Sequence, residues 1–247
     1  MLSKSQAKYI RSLAEQKYRK ENNAYSVEGD KLAKEWLSSQ TNIHMVVGLE
    51  TWIRSNEALL CRHPEAGVVA VKPYELAAVS SLKAPNQVLL VAEMPAPPDA
   101  LPDNEWCLAL DTIQDPGNLG TIIRIADWFG MDHVVCSPDC ADAFNPKVIQ
   151  AAMGGHLRVQ VHKADLPSLI AEVKMPVVAA SLSGDNVYGM EALAAAVLLI
   201  GNESRGLSPD LMQLATHRVM IPRKGGAESL NAAVSAGILC ALLMPRS

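Results

Sequence analysis

The residues DTIQDPGNLGTIIRIADWFG, Asp111 to Gly130, set the architecture of this chain. The apolar run Cys107-Leu-Ala-Leu110 leads into a cluster of turn formers, Asp115, Pro116, Gly117, Asn118 and Gly120. Beyond it Ile122, Ile123, Ile125, Ala126 and Phe129 recur at helical spacing, so the segment reads as strand, glycine-rich turn and helix. Such a turn sits at the carboxyl end of a strand and offers free backbone N–H groups at the helix start. Arg124, about one turn into that helix, is then a cation facing a ligand crevice. The spacing is not the G-x-G-x-x-G of dinucleotide binding.

Outward from this segment the alternation continues. Strands are expected at 106–110, 133–136, 157–161, 177–180, 197–200 and 218–221, separated by helical stretches, which is the pattern of a parallel α/β sheet. The last helix, 229–244, is dense in Ala, Val, Leu and Ile, as befits a segment buried on most of its circumference, in part against another subunit.

Before it, Met94-Pro-Ala-Pro-Pro-Asp-Ala-Leu-Pro-Asp103 carries four prolines, which cannot donate to a sheet ladder and favour extended backbone. The chain is therefore expected to divide into residues 1–94, a linker at 95–105, and a second domain at 106–247. The first part is a smaller α/β domain. Ala7, Ile10, Leu13, Ala14 and Tyr18 fall on one face of an amphipathic helix. Strands are expected at 24–28, 43–49, 67–71 and 88–92, and Asp30 is expected to cap a helix through Leu32, Ala33, Trp36 and Leu37. Between Met1 and Lys20 six basic residues stand against one acidic residue, although the whole chain has a formal net charge of -4. This segment can meet phosphates, or can be an ordinary solvated helix face.

With 247 residues the chain can bury a substantial core without staples. No apolar window approaches a bilayer span and no signal-peptide core follows the N-terminus, which points to the cytoplasm and away from membranes. The five cysteines form no paired framework. Cys136 and Cys140 have metal-ligand spacing but no second Cys/His pair beside them, so no metal is expected.

Two further stretches follow the first in order, Leu198-Leu-Ile-Gly-Asn-Glu-Ser-Arg-Gly-Leu207 and Ile221-Pro-Arg-Lys-Gly-Gly-Ala-Glu-Ser-Leu-Asn-Ala-Ala-Val-Ser-Ala-Gly237. Together the three resemble the signature motifs of the SpoU family of RNA 2′-O-ribose methyltransferases, over the chain from about Trp106 to its end. The resemblance implies a trefoil-knotted parallel-sheet domain that dimerises, although knots are otherwise rejected by default. The basic helix followed by Tyr25-Ser-Val-Glu28-Gly29 resembles, more loosely, the ribosomal-protein-like RNA-binding domain that precedes the catalytic domain in many SpoU enzymes.

The resemblance also implies roles. Gly201, Ile221 and Leu230 match positions that line S-adenosyl-L-methionine with backbone and apolar contacts; read without the family, they are core or turn residues. Arg124 matches a residue of the catalytic centre, and Asn118, Glu203, Ser229 and Asn231 match residues that organise the loops and the substrate ribose. Their local alternatives are a turn residue for Asn118, a cap for Glu203, a helix N-cap for Ser229 and a surface ion pair for Arg124. Ala233 stands where many members have a second serine, and Ser204 where glycine is frequent. The implied activity is 2′-hydroxyl methylation of RNA, ribosomal RNA first, with transfer RNA or non-catalytic RNA binding as the alternatives.

Overall fold

The computed structural model describes residues 1–96 and 103–245, so most of the proline-rich linker expected at 95–105 lies outside the described residues. Two compact units result: Met1–Ala96 together with Phe144–Leu157, and Pro97–Ala143 together with Arg158–Ser247.

The first unit is built on a mixed four-stranded sheet of β1 (Ala24–Glu28), β2 (Ile43–Leu49), β3 (Gly67–Val71) and β4 (Val88–Glu93), in the order β1-β4-β2-β3. Strand β4 runs antiparallel to both β1 and β2, and β3 is parallel to β2. The amphipathic segment is two helices, Lys4–Ser12 and Gln16–Asn22, where periodicity alone predicts one. The break is anchored from inside: Leu13 is fully buried, and Arg19, itself 2 % exposed, donates Nη1–H to the Leu13 carbonyl at 2.6 Å. Arg19 is thus withdrawn from the basic surface, which leaves Lys4, Lys8, Arg11, Lys17 and Lys20 exposed.

Glu28 is buried, and its carboxylate accepts from the Ser80 hydroxyl and from the amide and hydroxyl of Ser81, tying a distant loop to the end of β1. Gly29 follows at φ 101, a backbone conformation closed to most L-residues. It is Gly29, not Asp30, that occupies the N-cap position of the helix Asp30–Ser38; the Asp30 carboxylate instead accepts from the Trp52 indole at 2.6 Å and from Lys34.

Sequence proximity does not foretell that Phe144–Leu157 joins this unit. Asn145 caps the helix Pro146–Ala152 through the Lys147 amide, and the helix packs on β1. Gln150 donates to the Glu28 carbonyl at 2.7 Å, and the Phe144 ring lies 4.9 Å from that of Tyr25, whose hydroxyl accepts from Trp36. Deleting residues 1–94 would expose this apolar face. A fully buried side chain of this size contributes about 1.5–3 kcal/mol. The fragment 106–247 is therefore expected to melt below the full chain and to bind a hydrophobic dye; a fragment that melts as high and stays dye-free would show that the contact adds nothing.

The second unit is an all-parallel six-stranded sheet of β5 (Cys107–Leu110), β6 (His133–Cys136), β7 (Gln160–Lys163), β8 (Val177–Asn186), β9 (Val197–Ile200) and β10 (His217–Met220). The order is β10-β8-β9-β5-β6-β7. Both central strands, β5 and β9, are buried along their whole length, as continuous apolar runs require. Strand β7 begins at Gln160 because Gly155–Leu157 is a turn of 3-10 helix, and β8 extends beyond the expected Ala180 to pair with β10 across a bulge. From β5 the sheet grows in both directions, which makes the β5/β9 boundary a switch point, where parallel sheets open a crevice beyond the strand ends.

Candidate active site

The helix Pro116–Trp128 starts at this boundary. Asp115 is its N-cap, accepting from the Asn118 amide at 2.8 Å, and Pro116 occupies the first turn, where a missing N–H costs nothing. The cap fixes Asn118 in the first turn, and its side-chain amide works in two directions. Nδ2 donates to Glu203 Oε1 at 2.5 Å, and Oδ1 accepts from Asn231 Nδ2 at 2.8 Å. Residues separated by 85 and 113 positions are thereby joined through one side chain, one from each of the three stretches.

Asn231 does a second thing. Its Oδ1 accepts from the amides of Ala233 and Val234, capping the helix Ala232–Leu243. The last helix therefore begins after Leu230 rather than at Ser229, and Ser229 is not its cap: the capping oxygen belongs to Asn231, and Ser229 and Leu230 stay in the preceding exposed loop. Losing a cap of this kind costs about 0.5–2 kcal/mol. Asn231→Ala is expected to lower the melting temperature accordingly and also to release Asn118. Asn231→Asp keeps the capping acceptor while removing the donor to Asn118, so its melting temperature should stay near wild type while activity falls. Equal activity in Asn231→Asp and wild type would remove the link to Asn118 from the site.

Beside this cluster opens a cavity of about 570 Å³. Gly201, Ile221 and Leu230 all line it, together with Glu203, Ser229 and Leu182, the last an apolar side chain 75 % exposed at the rim. The size suits an organic ligand of a few hundred daltons, and the lining mixes apolar walls with a few polar groups. Gly201 has a steric reason to be glycine: a Cβ there would stand 2.3 Å from the carbonyl carbon of Gly206 and 2.4 Å from the Leu207 nitrogen. The loop turns back on itself at this point, with Asn202 and Gly206 exchanging both backbone hydrogen bonds.

Several residues that hold the site escaped the sequence reading. Asn202 donates its side-chain amide to the Thr112 carbonyl at 2.9 Å and accepts from the Ser204 and Arg205 amides. Asp111, 8 % exposed, accepts from the Ser208 amide at 2.8 Å and from the Thr112 hydroxyl. Thr112 adopts φ 59, rare for a β-branched residue, and its amide donates to Ser137 Oγ. The signal available for these residues was only their place immediately after β5 and β9.

Arg124 is placed differently. It is exposed, has no hydrogen-bond or ion-pair partner among the described residues, and does not line the cavity. It lies six positions beyond Asn118, about 9 Å of rise and roughly 120° round the helix from it. The Asn118 side borders the last helix, where Ile125 Cδ1 comes within 3.6 Å of the site of a Cβ on Gly237, whereas Arg124 faces outward.

Cys61 is exposed and the other four cysteines are buried; burial pushes the Cys107 and Cys240 thiols up to about 12. Cys140 serves the site from behind, its sulfur accepting from the Ile113 amide at 3.2 Å. Among the described residues no group of three or more His, Cys, Asp and Glu side chains is arranged to hold a metal ion.

The site is thus the switch point of a parallel sheet, with a cavity and residues of three separate sequence stretches brought together beside it. Residues 105–241 match the family model of the SpoU rRNA Methylase family, and residues 4–90 that of the MRM3-like substrate binding domain. The chain belongs to the SpoU rRNA methylase family. It is 34 % identical over 243 residues to the 23S rRNA (guanosine(2553)-2′-O)-methyltransferase RlmP of Bacillus subtilis (strain 168), covering 93 % of this chain and 92 % of that protein. Among solved structures, a TrmH-family protein from Porphyromonas gingivalis superposes with a TM-score of 0.89 at 37 % identity, covering 100 % of both chains. The AdoMet-bound rRNA methyltransferase from Sinorhizobium meliloti has a TM-score of 0.86 at 28 % identity, covering 97 % of this chain and 95 % of that one.

Proposed function

We propose that this protein transfers the methyl group of S-adenosyl-L-methionine to a ribose 2′-hydroxyl of ribosomal RNA. The observation that carries the reading is the Glu203–Asn118–Asn231 linkage beside a cavity lined by Gly201, Ile221 and Leu230. The cradle fits the cofactor: its size is suitable, and the missing side chain at Gly201 lets the 202–206 turn fold back to form one of its walls. Gly201, Ile221 and Leu230 hold it through backbone and apolar contacts, and Ser229, whose hydroxyl has no partner among the described residues, is free to meet ligand. The sulfonium supplies an electrophilic methyl carbon and a neutral thioether leaving group. Bound there, the cofactor would give that methyl group to a ribose 2′-oxygen and leave as the thioether, the hydroxyl proton passing to an acceptor. Glu203 and Asn118 hold the cofactor loop against the helix Pro116–Trp128, while Arg124 supplies the cation.

The outward direction of Arg124 favours a site completed by a second copy. The outer face of the last helix carries Val234, 50 % exposed, with Ile238 and Ala241 on the same side, an apolar stripe suited to a symmetric homodimer. In the same reading residues 106–247 form a trefoil-knotted catalytic domain. Its support is that the loops after β9 and β10 both bond to the segment following β5, through Asn202 to Thr112 and Asn231 to Asn118. Residues 1–94 form the RNA-presenting domain and 95–105 the linker. No helix among the described residues is long and apolar enough to cross a membrane, and cytoplasmic residence accords with a ribosomal RNA substrate.

Incubating the full chain with 23S rRNA and methyl-labelled S-adenosyl-L-methionine, and mapping ribose methylation in cells with and without the protein, tests the function. Failure to label any RNA would reject it. The exposed cations of the first helices give a separate expectation. Each phosphate contact on single-stranded RNA contributes about 0.7 to the slope of log affinity against log salt. Changing Lys4, Lys8 and Arg11 to glutamine should weaken RNA binding and flatten that slope by up to about 2. An unchanged slope would place RNA on another face.

A further inference from the structure

Tryptophan is used in two ways in this chain. Trp36, Trp52 and Trp106 are at most 6 % exposed, and each donates its indole N–H, to Tyr25, Asp30 and Leu193 respectively. Trp128 is 85 % exposed, and its indole N–H has no hydrogen-bond partner among the described residues. Its flat apolar face is therefore available to a ligand that can cover it.

Its surroundings indicate what that is. Trp128 lies on the exposed stripe of the helix Pro116–Trp128, which runs Gly117, Thr121, Arg124, Trp128 at spacings of four, three and four. The opposite face, Leu119, Ile122, Ile123 and Ala126, is buried. Asp127, next in sequence, is neutralised by a two-pronged pair with Arg158 at 2.6 and 2.8 Å. Arg124, one turn before the indole, is the cation of the stripe and has no partner among the described residues. The isolated indole is thus bordered by glycine, threonine and arginine, whereas a subunit contact calls for a continuous apolar stripe such as that of Val234, Ile238 and Ala241. A cation and a flat aromatic face about 6 Å apart along a helix match the phosphate and the base of a single-stranded nucleic acid.

We propose that Trp128 stacks on a base of the unpaired RNA flanking the methylated ribose and, with Arg124 on the adjoining phosphate, sets which nucleotide is presented. The inference rests on the RNA reading above and adds a specificity-determining residue to it. Stacking of one base on an aromatic side chain is sequence-tolerant, so the residue fixes register and strandedness rather than base identity.

The test uses the full chain. Trp128→Ala is expected to raise KM for an rRNA transcript about tenfold, at the lower end of the range for one stacked base. It should leave kcat and the cofactor Kd unchanged, and Trp128→Phe should restore most of the loss. Tyr188→Ala, which removes another exposed aromatic residue, is the control and should behave as wild type. Because the other indoles are buried, an unstructured RNA decamer should quench the solvent-exposed part of the emission and shield it from acrylamide, and this quench should vanish in Trp128→Ala. An unchanged KM in Trp128→Ala, with wild-type chain active, overturns the proposal. So does emission that responds to protein concentration but not to RNA, together with a weakened dimer in Trp128→Ala by sedimentation, which assigns the indole to a subunit contact. A wild-type chain that methylates no RNA but shows the RNA quench would reject the catalytic reading and uphold stacking.

Discussion

Arg124→Ala is expected to reduce methyl transfer by at least about 10²–10³-fold, the scale of removing one preorganised group that stabilises developing negative charge. Cofactor Kd, melting temperature and dimerisation should hold, because Arg124 is exposed, lies outside the cavity lining and bonds to nothing among the described residues. The Arg124→Lys variant separates two roles. A free-base arginine is costly: a guanidinium is effectively always protonated, and each unit by which its proton affinity is lowered requires about 1.4 kcal/mol. We therefore propose that Arg124 is a fixed cation that would grip the neighbouring phosphate and stabilise the developing alkoxide, with the proton leaving through that phosphate or another acceptor. Lysine keeps the charge and loses the planar fork, so partial activity with an unmoved pH profile is expected. A rate that instead tracks a titration near the lysine pKa would support proton abstraction by the side chain. Loss of cofactor binding in Arg124→Ala would contradict the assignment altogether.

Gly201→Ala is expected to have a comparable effect through a different cause. Its new Cβ would meet backbone, not a flexible side-chain end, at 2.3 and 2.4 Å, so the 202–206 turn must open. Overpacking of this kind costs typically about 1–3 kcal/mol, and here the displaced atoms also form the cavity wall. Calorimetry with S-adenosylhomocysteine should show at least a tenfold to hundredfold weaker Kd, and thermal melts a lower midpoint. Gly225 lines the same cavity, and a Cβ there would meet nothing within 4 Å, so Gly225→Ala should bind normally. If both alanine variants bind alike, the close approach at Gly201 does not matter to the cofactor.

Much of this site was legible in the sequence because its parts are local. The turn formers between Asp115 and Gly120 read as a glycine-rich turn ahead of a helix, whereas the helix already opens at Pro116 behind the Asp115 cap, so Gly117, Asn118 and Gly120 lie within it and Arg124 stands more than two turns along it. The apolar runs 107–110, 133–136 and 197–200 read as buried parallel strands, since strands covered on both faces carry no polar alternation. Gly201, Ile221 and Leu230 were assigned by resemblance to one ligand and do line one cavity.

Other features follow from contacts at long sequence separation, about which periodicity carries no information. A helix pattern at 146–152 is the same whichever sheet it covers, and only folding places it on β1 through Phe144 and Gln150. Arg19 counts as a surface cation in any local window, yet the Leu13 carbonyl draws it into the core. Ser229 and Asn231 are equally good capping residues by type, and the choice fell to Asn231, whose amide also reaches Asn118. The sequence by itself determined the parallel α/β class, the order of the three motifs and the residue types they contribute, because backbone preference and hydrophobic spacing are short-range. The tertiary structure alone decided that one asparagine amide joins all three, since a hydrogen bond between residues 113 positions apart exists only once the strands have brought their ends together.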